Sequence, residues 1–195
     1  MTVPQRKRVF IVHGWDGSPE NNWMSWLGLR LQDKGVEAHV LHMPNAADPK
    51  MGEWVAFLAN AVVNPDANTY LVGHSLGCQT ILRYLESLGE GEIIGGALLV
   101  AGFFTIKKEV MFGDASRVLG PWVNSKIDLS AARSHAKRFV LMLSDNDPYI
   151  PLSDSEIFRR ELGSKIIIMP GAGHFSASEG YRELHAALNE CLKMM

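Results

Sequence analysis

A doubly wound α/β domain, with a mostly parallel sheet of about six strands flanked by helices, is the fold class this sequence predicts. Three observations carry it. Six short runs rich in Val, Ile and Leu show little polar alternation, as strands buried on both faces of a parallel sheet do. Helical patterns separate those runs, which makes βαβ units with right-handed crossovers and helices on both faces. The chain has 195 residues, 47% apolar and 21% charged, which fits a single domain over 1–195 with a full core.

The elements follow in order. The first strand is read over Arg8–His13. Trp23–Lys34 then puts Trp23, Trp26, Leu27 and Leu31 on one helical stripe and stops at Gly35. Val36–Leu41 is the second strand. Asp48 followed by Pro49 reads as an N-cap and first-turn proline for a helix running through Val63. The third strand, Thr69–Val72, leads directly into a helix over Leu76–Leu88 that ends at Gly89. Gly96–Ala101 is the fourth strand and Arg138–Leu143 the fifth. Ser153 with Glu156 has capping-box spacing for a helix through Leu162. Lys165–Met169 is the sixth strand, and Ser176 with Glu179 repeats the capping-box spacing for the final helix.

One stretch, Gly102 to Lys137, has no regular pattern apart from a helix around Ser130–His135. It follows the C-terminal end of a central strand, the edge at which doubly wound sheets bind ligands. It is long enough for one crossover helix and a short flap, not for a separate cap domain.

Composition excludes several classes of function. Net charge is -2, and no basic run exceeds Arg6-Lys7-Arg8, so nothing resembles an electrostatic footprint for nucleic acid or an anionic membrane. Val9–Val12 is far shorter than the apolar stretch of a signal peptide, and no segment approaches the roughly 18 apolar residues of a membrane span. A cytoplasmic protein is expected. Cys78 and Cys191 lack any pairing pattern and read as reduced, buried thiols. There is no P-loop, no G-x-G-x-x-G and no cysteine-rich metal motif, so no cofactor is expected. His39 and His42, three apart along a strand and its end, point to opposite faces and make a poor chelating pair. His135 and His185 read as ordinary helix residues.

The chemistry starts at Gly73-His74-Ser75-Leu76-Gly77, between the third strand and the helix that follows. A sharp strand-to-helix turn exposes the serine hydroxyl at its tip, and glycines on either side leave room for the neighbouring strand and helix. A serine hydroxyl needs a base to take its proton, an acid to hold that base in the right tautomer, and donors for the developing oxyanion. Acids follow the fifth strand in Ser144-Asp145-Asn146-Asp147-Pro148-Tyr149-Ile150-Pro151, and His174 follows the sixth in Gly173-His174-Phe175. Parallel strands end at one sheet edge, so these three loops can meet in space. The residues alone leave Asp145 and Asp147 open as the acid. His13 is expected to hold the first loop by local hydrogen bonds, and His74 to pack beside the first strand.

In this order and spacing the motifs resemble the α/β-hydrolase superfamily, and more narrowly the small lidless serine hydrolases of the retinoblastoma-binding-protein-9-like family. The resemblance covers nearly the whole chain. It rests on His13-Gly14, Trp23 and Trp26, Met43-Pro44, the GHSLG turn, Leu99-Val100-Ala101, Ser144–Pro148 and Gly173-His174-Phe175. It implies a triad of Ser75, Asp147 and His174, the Pro148…Ile150-Pro151 pattern favouring Asp147 over Asp145. The first loop, His13-Gly14-Trp15-Asp16-Gly17, is closer to the HG loop of α/β-hydrolases at large than to a glycine-rich loop. Oxyanion donors are then expected at the N–H groups of Leu76 and Trp15. Leu76-Gly77-Cys78-Gln79-Thr80 begins like the pocket-protein motif L-x-C-x-E but has Thr80 where Glu is required, so that partner is not expected.

The activity expected is hydrolysis of small carboxylic esters or related acyl compounds through an acyl-enzyme, with Gly14, Trp15, Phe103, Phe104 and Trp122 as candidate substrate contacts. The alternative is a binding module on a hydrolase fold with weak catalysis.

Overall fold

Six stretches of β-branched and aliphatic residues pair edge to edge in the computed structural model, which describes residues 6–195. They are β1 (Arg8–Val12), β2 (Glu37–Leu41), β3 (Thr69–His74), β4 (Gly96–Val100), β5 (Phe139–Ser144) and β6 (Lys165–Met169). All neighbours are parallel, in the order β2-β1-β3-β4-β5-β6. The chain therefore lays β2 on one side of β1, then crosses back and builds outward in the other direction from β3. The reversal falls between β1 and β3, the position at which open α/β sheets form ligand crevices.

Side chains alternate strictly along each strand, but both faces are apolar. Phe10, Val12, Leu71, Leu99, Leu141 and Leu143 face one core, while Val9, Ile11, Val72, Leu98, Val100 and Met142 face the other. This is why the sequence shows apolar runs and not a polar alternation. Helices α1 (Met24–Gln32) and α7 (His185–Met194) cover the second face with Met24, Leu27, Leu31, Ala187 and Cys191. The first face is covered by α2 (Met51–Ala61), α3 (Leu76–Glu86), α4 (Gly113–Asn124), α5 (Leu129–Ser134) and α6 (Asp154–Leu162). Every residue of α3 from Leu76 to Leu85 is buried, Thr80 and Cys78 included. Both cysteines are free and buried. Among the described residues no helix is long and apolar enough to cross a membrane.

The structure corrects four helix readings. Asp48 does not cap α2: Lys50, in extended conformation, precedes it, and the Asp48 carboxylate binds Lys50 Nζ at 2.8 Å and Arg117 at 2.7 Å. Two cations compete better for that carboxylate than a backbone N–H does. Ser153 makes no side-chain cap, because it is itself in helical conformation. The Ser176–Glu179 capping box exists, but it closes a single 3-10 turn (Ala177–Glu179), and α7 begins only at His185. The irregular stretch holds two helices, not one. Its first, α4, carries Gly113, Gly120 and Pro121, which hide its periodicity. What replaces intrinsic propensity is the buried Arg83 of α3, whose guanidinium donates to the Trp122 and Ser125 carbonyls, each at 2.8 Å, at the α4 C-terminus.

Candidate active site

The turn after β3 is as sharp as its glycines suggest. Ser75 sits at φ 53°, ψ -117°, a region that costs a non-glycine residue about 1–3 kcal/mol. Two backbone bonds hold it there: the Ser75 N–H donates to the Val100 carbonyl, and the Cys78 N–H to the Ser75 carbonyl, each at 2.9 Å. A Cβ on Gly73 would lie 2.8 Å from the Cys78 nitrogen, and one on Gly77 would strike the Val12 carbonyl. Both positions demand glycine because α3 starts hard against β1 and β3.

His174 follows β6, and its ring nitrogen Nδ1 lies 2.8 Å from Asp147 Oδ2. Asp147 is buried, at 1% side-chain exposure, and its other oxygen accepts the N–H groups of Tyr149 at 2.8 Å and Ile150 at 3.0 Å. An ionised carboxylate has no proton to donate, so Nδ1 carries the hydrogen and Nε2 keeps its lone pair. The neighbouring polar side chains have other partners. Asp145 accepts the Gly171 N–H at 2.8 Å, and Asn146 Oδ1 accepts the Ser144 hydroxyl and the Gly173 N–H, each at 2.7 Å. Asp147 is thus the acid that reaches the imidazole.

Ser75 and His174 line the same cavity, of about 580 Å³. Among the described residues the Ser75 hydroxyl makes no hydrogen bond, to His174 or to any other group. Gly14, Trp15 and Phe103 lie on the cavity wall. Phe104 and Trp122 do not: Phe104 packs on Phe158 with ring centroids 4.4 Å apart, and Trp122 is buried against Trp54. Both face a separate small recess, because the loop after β4 turns Phe103 inward and Phe104 the other way. A larger recess, about 700 Å³, opens at the opposite sheet edge beside Arg138 and Lys165. Four of its five cations serve helix ends and one acid: Arg133 the Leu162 carbonyl, Arg138 those of Lys193 and Met194, Lys165 and Lys193 the Glu190 carboxylate. Among the described residues no histidine lines it.

Two further imidazoles brace the site. His13 Nδ1 donates to the Gly14 carbonyl at 2.8 Å while its Nε2 accepts the Met43 N–H at 3.1 Å, which fixes one neutral tautomer. Burial lowers its pKa. His74 Nε2 donates to the His174 carbonyl at 2.8 Å, and the ring packs edge-on to Trp23. It braces the His174 loop and does not merely pack beside the first strand. Burial first, and the adjacent His174 second, push the His74 pKa down to about 3, so it stays neutral wherever the protein is folded near neutrality.

Three side chains that the motifs did not single out shape the site. The carboxylate of Glu179 accepts the His174 N–H at 2.9 Å on both oxygens, together with the Ser176 N–H and hydroxyl. It occupies the space a Gly173 side chain would need, at φ 57°. Lys107 Nζ donates to the Asp147 carbonyl at 2.6 Å. Buried Asp154 accepts the N–H groups of Phe104 and Thr105 and the Thr105 hydroxyl, at 2.6 to 2.8 Å, anchoring the loop that carries Phe103. Only Glu179 left a signal, its capping-box spacing. Glu179→Ala is expected to lower kcat about tenfold, roughly 1.4 kcal/mol of lost positioning. Ester kinetics with a thermal melt on the same sample check it, and a melt shift with kcat intact would make Glu179 purely structural.

Comparisons with known proteins agree with this architecture. A family model described as serine hydrolase matches residues 9–192. YdeN of Bacillus subtilis (strain 168), described as a hydrolase, is 33% identical over 178 residues, 91% of this chain and 90% of that one. Its crystal structure superposes with a TM-score of 0.87, covering 96% of this chain and 98% of that chain. The serine hydrolase RBBP9 of Rattus norvegicus is 22% identical over 92% of this chain and 91% of its own. Est1E of Butyrivibrio proteoclasticus, at 16% identity and a TM-score of 0.68 over 97% of this chain and 88% of that one, shares the fold. With a parallel six-stranded sheet, no large cap and a family match over nearly its whole length, the chain belongs to the serine hydrolase family and has the α/β-hydrolase fold.

Proposed function

We propose that this chain is a carboxylesterase-like hydrolase that cleaves small carboxylic esters, or related acyl compounds, through Ser75, His174 and Asp147. The observation that carries the reading is the 2.8 Å Asp147–His174 bond at the edge of a cavity that also holds Ser75. His174 Nε2 takes the Ser75 proton as Oγ bonds to the acyl carbon, and the carbonyl electron pair moves to its oxygen. Asp147 stabilises the imidazolium that forms. The oxyanion accepts from the Leu76 and Trp15 N–H groups. Leu76 opens α3, where the helix dipole adds favourable charge. The Trp15 loop is held by its indole, which donates to the Ala47 carbonyl at 3.0 Å. Collapse breaks the bond to the alcohol oxygen, which leaves with the proton from His174. Water then repeats the sequence to release the acid and restore Ser75. The hydroxyl–imidazole hydrogen bond that this step needs is one that forms or tightens when substrate fills the site.

A fluorophosphonate probe tests the reading directly. The native chain is expected to label at one residue, located at Ser75 by peptide mass spectrometry, and the heat-unfolded chain not at all. Absence of label on native protein would overturn it.

A further inference from the structure

We propose that the cavity is two-sided, taking esters of a small apolar acid on one wall and a polar alcohol without negative charge on the other. This names a substrate class for the hydrolase reading above and rests on it.

The reaction itself orients the substrate. The imidazole that removes the serine proton must return it to the departing alcohol oxygen, so the alcohol lies on the His174 side. The turn directly after His174 supplies Ser176, Ser178 and Glu179 to the cavity, and Asp16, Asn21 and Asn22 join them there. Asn22 Oδ1 accepts the Ala177 N–H at 2.7 Å, which ties the two segments into one polar wall. The acyl chain, on the same carbon, must project away from the alcohol. Away from the first loop, from Met24 and from Tyr149 and Ile150, the rest of the lining is Phe103, Ile106, Val110, Phe112, Ala115 and Leu119, with no polar side chain among those six.

Charge narrows the alcohol further. Among the described residues two carboxylates, Asp16 and Glu179, line the cavity, and no lysine or arginine does. Asp147 adds a negative charge behind His174, offset in part by the Lys107 ammonium on its carbonyl, and His74 is neutral. An anionic alcohol portion would meet the Asp16 and Glu179 carboxylates with no cation in the lining to compensate, whereas a cationic one is attracted to those acids and can sit against Trp15 or Tyr149. Asp16 is placed by its backbone, at φ 53° with its N–H donating to the Ala46 carbonyl at 2.7 Å, so exchange to asparagine keeps the loop.

Three butyrates that differ only in the alcohol provide the test: choline, its neutral isostere 3,3-dimethylbutanol, and 2-hydroxyethanesulfonate. On wild type, kcat/KM for the choline ester should exceed that for the sulfonate ester by about tenfold or more at low salt. The gap should narrow in about 0.5 M NaCl and by about threefold in Asp16→Asn. On the opposite wall, Ala115→Phe should cut activity on p-nitrophenyl hexanoate about tenfold relative to the acetate without changing the preference among alcohols. Leu119→Ala should move the optimum to longer acyl chains. Sulfonate and choline esters cleaved equally well, or an Ala115→Phe effect on alcohol preference in place of acyl preference, would overturn the proposal. Fluorophosphonate labelling of each variant reports whether it is folded and reactive. A chain that labels at Ser75 yet ignores alcohol charge sinks this proposal alone. One that neither labels nor cleaves any ester sinks the hydrolase reading with it.

Discussion

Ser75→Ala is expected to reduce kcat on p-nitrophenyl butyrate by about 10⁶-fold and to abolish the initial burst of p-nitrophenolate. Nothing adjacent can replace the hydroxyl. Cys78, three residues on, is fully buried, its thiol donates to the Val100 carbonyl, and burial pushes its pKa far up, so it is not available as a thiolate. What should persist is a residual acceleration of about 10³–10⁴ over water, from oxyanion donors and binding. Stopped-flow kinetics on a sample whose melting temperature matches wild type checks this. Turnover within tenfold of wild type would remove Ser75 from the mechanism.

Asp147→Asn should be nearly as damaging, with kcat falling about 10⁴-fold. The reason lies in which way the amide faces. The Tyr149 and Ile150 N–H groups hold an acceptor at the Oδ1 position, so the Asn oxygen settles there and its NH₂ turns to His174. A donor at that point forces His174 Nδ1 to accept, the ring proton moves to Nε2, and the base has no lone pair for the serine. Asp145→Asn should cost less than about tenfold, since an amide oxygen can still accept the Gly171 N–H. Equal losses in the two variants would remove the distinction drawn between these acids. A steady-state comparison with a common substrate measures both.

The two asparagine variants also show where the sequence was informative. Strand runs, the glycines around Ser75 and the short segments that carry Ser75, Asp147 and His174 are local patterns, each legible over a few residues. Parallel pairing, with its crossovers, brings the ends of β1, β3, β5 and β6 to one edge. Other features depend on partners far away in the chain. Asp154 serves the loop at Phe104 and Thr105 from about fifty positions away, so spacing rules that reach one helical turn miss it. Ser176 and Glu179 had the spacing of a helix start, yet the carboxylate is committed to His174, and the chain runs on to His185 before coiling again. Aromatic content in Gly102 to Lys137 could not say which rings turn inward. Adjacent Phe103 and Phe104 go to different recesses, and the tryptophan of α4 goes to the core. That helix was missed because its glycines and proline hide its periodicity, while the guanidinium that holds its end comes from Arg83, 39 positions away.

The apolar wall has a consequence for how this scaffold can diverge. Residues 103–124 contribute no strand, and Asp154 and Arg83 moor them through backbone groups and the Thr105 hydroxyl, not through the apolar side chains that line the cavity. Exchanging Ile106, Val110, Ala115 or Leu119 therefore leaves those moorings and the sheet register intact. Descendants of one ancestor could retune chain-length preference by rewriting this insert while the chemistry beneath it is inherited unaltered.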